Sequence, residues 1–158
     1  LGSGGAHLLY GVTGSGKTHV FTALADKVLS QGKSVLLLLP EISLTLQIID
    51  RLVSRYGDLL AVLHSGLSVG ERYDEYKRIR TGDARFVVGT RSAVFAPLKD
   101  LGLVIVDEEQ EHTYKSEKSP RYDAKAVAGY RVHEEKALLL VASATPSFES
   151  FYKAQRAG

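Results

Sequence analysis

Gly11-Val12-Thr13-Gly14-Ser15-Gly16-Lys17-Thr18 is the stretch that decides the fold. It satisfies the pattern G-x-x-x-x-G-K-[ST] at every position. The apolar run 6–10 precedes it, and an apolar stripe of helical period over residues 17–31 follows. Strand, glycine-rich turn and helix is the context in which such a loop holds a phosphate. The glycines let the chain turn so tightly that successive backbone N–H groups converge on one anion, and the helix behind adds the positive end of its dipole. Residues 11–18 are therefore the expected nucleotide-binding set. Lys17 would reach the β- and γ-phosphates, and the Thr18 hydroxyl would hold Mg²⁺.

Outward from this loop, apolar runs and helical stripes alternate to the end of the chain. Val20, Phe21, Leu24, Ala25, Val28 and Leu29 recur with helical period, and Gly32 closes that helix. Residues 34–39 form a continuous apolar run ended by Pro40, the pattern of a strand buried on both faces. Leu44, Ile48, Ile49, Leu52, Val53 and Tyr56 give a second helical stripe before Gly57. A short strand at 61–63 leads to Ser68-Val69-Gly70-Glu71, a capping box opening a charged helix to about Arg80. Residues 86–89, 103–106 and 138–142 are further buried strands. Asp123 caps a helix reaching about Glu134, and Pro146 opens a last one. The class is α/β, a parallel sheet with helices on both faces and ligands at the carboxyl ends of its strands.

Composition sets the bounds. With 158 residues, 44% of them hydrophobic, the chain can bury one real core. No apolar run approaches the ~20 residues of a membrane helix, and no signal peptide is visible. Cysteine is absent, which excludes disulfides and thiolate metal sites within these residues. The five histidines lack the i,i+4 spacing of a helical ligand pair, so no protein-ligated metal is expected. A net charge of +2 neither demands nor excludes nucleic acid. Residues 1–5 read as a remnant or linker, so the domain is taken as residues 6–158, a piece of a longer protein.

Leu103-Val104-Ile105-Val106-Asp107-Glu108 is a hydrophobic strand that delivers two carboxylates at its end. An acidic residue there is the usual second half of a phosphate-loop site. Asp107 is expected to hold Mg²⁺ opposite Thr18, and Glu108 to orient and deprotonate the water attacking the γ-phosphate. Lys17, Asp107 and Glu108 are thus the expected catalytic set.

Asp107-Glu108-Glu109-Gln110 resembles the D-E-x-H box of superfamily 2 helicases and translocases, and Ser143-Ala144-Thr145 their S-A-T motif. Pro40-Glu41-Ile42-Ser43-Leu44-Thr45 and Gly89-Thr90-Arg91-Ser92-Ala93 are similar to the DNA-contacting segments between them. The combination with Leu63-His64-Ser65-Gly66-Leu67-Ser68 and Pro120-Arg121-Tyr122-Asp123-Ala124 resembles, more narrowly, the bacterial replication-restart helicases of the primosomal protein N′ family. The resemblance implies the first RecA-like lobe of an ATP-dependent 3′→5′ DNA helicase, cytoplasmic, acting on forked or single-stranded DNA. It also implies primosome and single-strand-binding proteins as partners, and no membrane. Gln110, Ser143 and Thr145 match positions that couple hydrolysis to lobe movement. Arg91 matches a single-strand contact, and Tyr114, Lys115, Arg121 and Tyr122 an aromatic-rich loop that signals DNA occupancy to the ATP site. Aromatic faces stacking on unpaired bases beside phosphate-binding cations would suit that loop. Gln110 stands where the family's box has His. Its amide still donates and accepts, but a pH-sensitive imidazole contact is lost, with His112, two residues further on, the less favoured candidate to replace it. A second lobe with its arginine finger, and zinc-binding cysteines, would lie downstream. Without the finger, worth ~10³–10⁵ in rate, this piece alone should turn over very slowly.

Other readings compete. Gly66-Leu67-Ser68-Val69-Gly70 fits the G-x-S-x-G pattern of a serine hydrolase, with Asp107 and His112 or His133 downstream, although Ser68 is already explained as a cap. A different phosphate-loop enzyme such as a small-molecule kinase, another superfamily 2 translocase, and a binding module without turnover complete the set.

Overall fold

The structure, a computed structural model, describes residues 5–10, 15–109 and 111–143. It contains a six-stranded, wholly parallel sheet of β1 (Ala6–Tyr10), β2 (Ser34–Leu38), β3 (Leu60–Leu63), β4 (Phe86–Gly89), β5 (Leu101–Val106) and β6 (Leu138–Ser143), in the order β1-β6-β5-β2-β4-β3. Four α-helices connect them: α1 (Ser15–Ser30), α2 (Leu46–Tyr56), α3 (Val69–Thr81) and α4 (Ala124–Glu135). Expected and observed elements agree within one or two residues. The connections Glu41–Ser43 and Arg91–Phe95 are 3₁₀ turns, too short to show a helical period in sequence. The helix expected after Pro146 lies outside the described residues.

Strands covered on both faces feed two cores. Along β2, Leu36 and Leu38 face one side while Val35, Leu37 and Leu39 face the other, the period of two that a strand imposes. On the first side lie Ile79 of α3 and Ala124, Ala128 and Val132 of α4. On the second lie Phe21, Ala25, Val28 and Leu29 of α1 and Leu52 and Tyr56 of α2. The helices are anchored at their ends. Thr45 and Asp123 cap α2 and α4 through their side chains, and Ser68 with Glu71 forms a complete capping box on α3. Ser68 Oγ accepts from the Glu71 amide at 3.1 Å, so this serine is engaged as a helix cap rather than presented as a nucleophile. No helix among the described residues is long and apolar enough to cross a membrane.

Register brings the carboxyl ends of the strands level. Tyr10 pairs with Ser143, Leu38 with both Val106 and Gly89, and Gly89 with Leu63. The ends of β1, β2, β3, β4, β5 and β6 therefore lie along one edge, where the acidic segment leaves β5 and the polar segments leave β2 and β4.

Candidate functional site

Helix α1 begins at Ser15, so the last residues of the glycine-rich loop already belong to its first turn. That start carries Lys17 across to the end of β5. Its ammonium lies 2.8 Å from Asp107 Oδ1 and 2.7 Å from Glu108 Oε1, although the two segments are 91 residues apart in sequence. Lys17 and Asp107 are 8% and 7% exposed, enough burial for the charges to act on one another with little screening. Burial opposes the charge on Lys17, but hydrogen bonds and attraction from both carboxylates outweigh it and hold its pKa above the usual lysine value. Burial also raises the Asp107 carboxyl, against the pull of Lys17 and with a further push from Glu108. The two carboxylates around Lys17 account for the first direction, and burial for the second.

Both carboxylates reach one ammonium because the chain turns sharply at Glu108, whose φ of +50° lies in the left-handed region. A non-glycine residue there costs about 1–3 kcal/mol and persists only when its surroundings impose it. The turn also lets the Glu108 amide donate to Asp107 Oδ1 at 2.9 Å, fixing that carboxylate's orientation. Exposed Thr18 and buried Asp107 line the same cavity, together with Phe21, Ile48 and Leu52. A hydroxyl and a carboxylate are hard oxygen donors that suit Mg²⁺. Among the described residues no group of three or more His, Cys, Asp or Glu could hold a metal. A divalent cation here would need phosphate oxygens and water to complete its shell.

A second, more polar cavity lies beyond the ends of β2, β3 and β4. Glu41 organises it, accepting from Ser65 Oγ at 3.2 Å and from Thr90 Oγ1 at 3.4 Å. Arg72 and Arg91 also line it. Arg91 Nη1 donates to the carbonyls of Thr113 and Lys115 at 3.2 and 3.1 Å, and its guanidinium carbon is 6.0 Å from the ring centre of Tyr122. Tyr122 meets Phe95 edge-on at 4.9 Å, and Lys115 and Arg121 are exposed.

The expected residues thus divide. Lys17, Thr18, Asp107 and Glu108 come together, and Ser143 is buried at the neighbouring strand end. Arg91, Lys115 and Tyr122 gather beside the second cavity. Residues 11–14, Gln110 and Thr145 lie outside the described residues. Tyr114 requires a correction. Its ring is 1% exposed, and its hydroxyl donates toward the carbonyls of Leu38, at 3.1 Å, and Asp107. Burial leaves no face for a base to stack on and raises the phenol's pKa. Sequence reasoning named the segments holding Glu41, Ser65 and Thr90 but not these residues. It did not single out Arg72, which reads as part of a solvated charged face, or Phe95, and it missed Lys125, because nothing local distinguishes them as site residues.

The family model for the DEAD/DEAH box helicases matches residues 1–154. Replication restart protein PriA of Bacillus subtilis (strain 168) is 50% identical over 149 residues, which cover 94% of this chain and 18% of that protein. PriA of Treponema pallidum (strain Nichols) is 51% identical over 144 residues, covering 91% and 22%. The chain spans about a fifth of the length of these curated relatives. Among solved structures, RecG bound to a three-way DNA junction is similar with a TM-score of 0.66 at 26% identity, covering 94% of this chain and 19% of that one. The Pyrococcus furiosus Hef helicase domain gives 0.64 at 20% identity, covering 98% and 32%, a likeness of fold. A nucleotide-loop lysine joined to an acidic strand end, on a RecA-like sheet matched along nearly its whole length, means that this chain belongs to the DEAD/DEAH box helicase family.

Proposed function

We propose that this chain is the ATP-binding lobe of an ATP-dependent 3′→5′ DNA helicase that opens forked DNA during replication restart in the bacterial cytoplasm. Single-stranded or forked DNA is its substrate, and primosome and single-strand-binding proteins are its partners. The observation that carries the reading is the Lys17 bridge to Asp107 and Glu108, which joins the phosphate loop to the carboxylates that hydrolysis needs. Relatives named for replication restart support the biological role.

In the mechanism, Lys17 leaves the carboxylates for the β- and γ-phosphates, as a phosphate-loop lysine does. Thr18 and Asp107 would hold Mg²⁺, which when bound neutralises charge developing on the phosphate oxygens. Asp107 is held in orientation for that role by the Glu108 amide. Glu108, released from Lys17, orients a water in line with the γ-phosphorus and takes its proton. Ser143, at the end of β6, would relay the change to a second lobe. Arg91, Lys115, Arg121 and Tyr122 would form the DNA face, the cations meeting phosphates and Tyr122 offering a stacking surface.

The test is ATP hydrolysis and unwinding of a forked duplex by the full-length protein, with 3′- and 5′-tailed substrates compared. Lys17→Ala removes the main phosphate cation and should lower turnover by at least ~10²–10³. Near-normal unwinding by that variant would refute the site, and unwinding only from a 5′ tail would refute the direction.

A further inference from the structure

Each backbone amide and carbonyl from Asp107 to Glu109 has a partner. The Asp107 amide donates to the Leu38 carbonyl at 3.0 Å, and the Glu109 amide to the Ala142 carbonyl at 3.1 Å. The Glu108 amide is taken by Asp107 Oδ1, and the Glu108 carbonyl accepts from the Glu111 amide at 3.0 Å. These four are supplied by the sheet or by the segment itself. The two carbonyls that flank Glu108 are gripped by side chains from further along the chain. Tyr114 donates its hydroxyl toward the carbonyl of Asp107, and the Lys125 ammonium lies 2.9 Å from the carbonyl of Glu109 and 3.5 Å from its fully buried carboxylate.

Tyr114 and Lys125 stand at the two ends of one loop. An antiparallel bridge from Lys115 to Asp123 and a 2.7 Å bond from the Ser116 amide to the Tyr122 carbonyl close it. Asp123 caps α4 on the amide of Lys125. Arg91 holds the near end by the carbonyls on either side of Tyr114. These anchors fix both clamping side chains relative to the peptide groups that bracket Glu108.

We infer that Tyr114 and Lys125 are positioning residues, a two-point clamp that holds Glu108 in its left-handed conformation. The inference rests on the proposal that Glu108 orients the attacking water. Glu108 occupies a backbone conformation that most side chains avoid, so it depends on restraint from outside its own segment. Release of either carbonyl would let the chain relax and swing the carboxylate. Misplacement of a reacting group by about 1 Å lowers rate on the order of 10²-fold, without the same loss in ground-state binding.

The experiment uses the full-length protein. Tyr114→Phe deletes only the hydroxyl, Lys125→Met deletes the ammonium, and Lys125→Arg restores a cation. DNA-stimulated kcat should fall by about 10- to 100-fold in the first two, with KM for ATP and affinity for a fluorescent ATP analogue within about twofold. Lys125→Arg should recover most of kcat. A purely structural role would instead lower melting temperature and nucleotide affinity together, and that result overturns the inference. Unchanged kcat in Tyr114→Phe and Lys125→Met, beside an inactive Lys17→Ala control, overturns the clamp alone. An active Lys17→Ala control overturns the underlying site and the clamp with it.

Discussion

Replacing Lys17 by methionine in the nucleotide-free 158-residue chain keeps the aliphatic stem and removes the ammonium that contacts both carboxylates. The Lys17 and Asp107 side chains are 10% and 11% exposed, and that of Glu108 is 27% exposed. Deleting one partner of a buried pair costs ~3–5 kcal/mol, because the other charge stays buried and uncompensated. The partial exposure of Glu108 puts this site near the lower figure. At about 2–4 °C per kcal/mol for a domain of this size, the melting temperature should drop by roughly 6–12 °C at pH 8. The pH dependence identifies the cause. Burial already raises Asp107 above the usual carboxylate range while Lys17 opposes it. Without Lys17 the folded-state pKa climbs further. A carboxyl with a raised folded pKa contributes stability at low pH and loses it as pH rises through that pKa. The deficit of Lys17→Met should therefore be greatest near pH 8 and shrink toward pH 5, as Asp107 takes up a proton. Thermal melts followed by circular dichroism at both pH values test this. Adding Asp107→Asn should recover stability at pH 8 only. A deficit equal at pH 5 and pH 8 would mean that packing, not charge, accounts for it, and no deficit at all would refute the ion cluster.

Ser68→Ala should cost ~0.5–2 kcal/mol through loss of the α3 cap and leave ATP turnover by the full-length protein intact. Labelling of wild-type Ser68 by a fluorophosphonate would contradict its role as a cap. Gly89→Ala should destabilise by ~1–3 kcal/mol, since the new methyl would come within 2.5 Å of Ala93 Cβ and 2.6 Å of the Leu63 carbonyl oxygen. Because Thr90 and Arg91 follow directly, single-stranded DNA affinity by fluorescence anisotropy should weaken more than nucleotide affinity. Equal losses in the two would place the damage in the core alone.

The sheet was legible because its six strands read as apolar runs short enough to exclude buried helices, and because Ser68 and Asp123 carry their capping chemistry in local sequence. Strand order was not legible. Nothing in residues 138–143 specifies insertion between β1 and β5, because that pairing is set by crossover geometry and not by neighbours in sequence. The Lys17, Asp107 and Glu108 cluster was legible because motif spacing places each residue at a strand end or a helix start. Tyr114 misled for the complementary reason. It sits in a charged stretch, Glu111 to Lys118, that reads as solvated. Only the meeting of β2 and β5 brings two carbonyls to its hydroxyl. Lys125 was hidden likewise, as an ordinary cation in a first helical turn.

The charge balance of the site constrains how it is filled. Among the described residues, Lys17 against Asp107 and Glu108 leaves one net negative charge at the place proposed for a polyanion. At an effective dielectric constant near 20, two like charges 4 Å apart repel by about 4 kcal/mol. When Lys17 turns to the phosphates, Asp107 and Glu108 both lose their contact with it, and their repulsion is at its greatest in the intermediate arrangement. A divalent cation arriving with the nucleotide offsets the charges of Asp107 and Glu108, whereas a nucleotide arriving alone faces both. The chain's own residues thus favour joint entry of nucleotide and cation. Nucleotide affinity should therefore depend steeply on the divalent ion in the native chain, and less steeply once Asp107→Asn removes one of the charges.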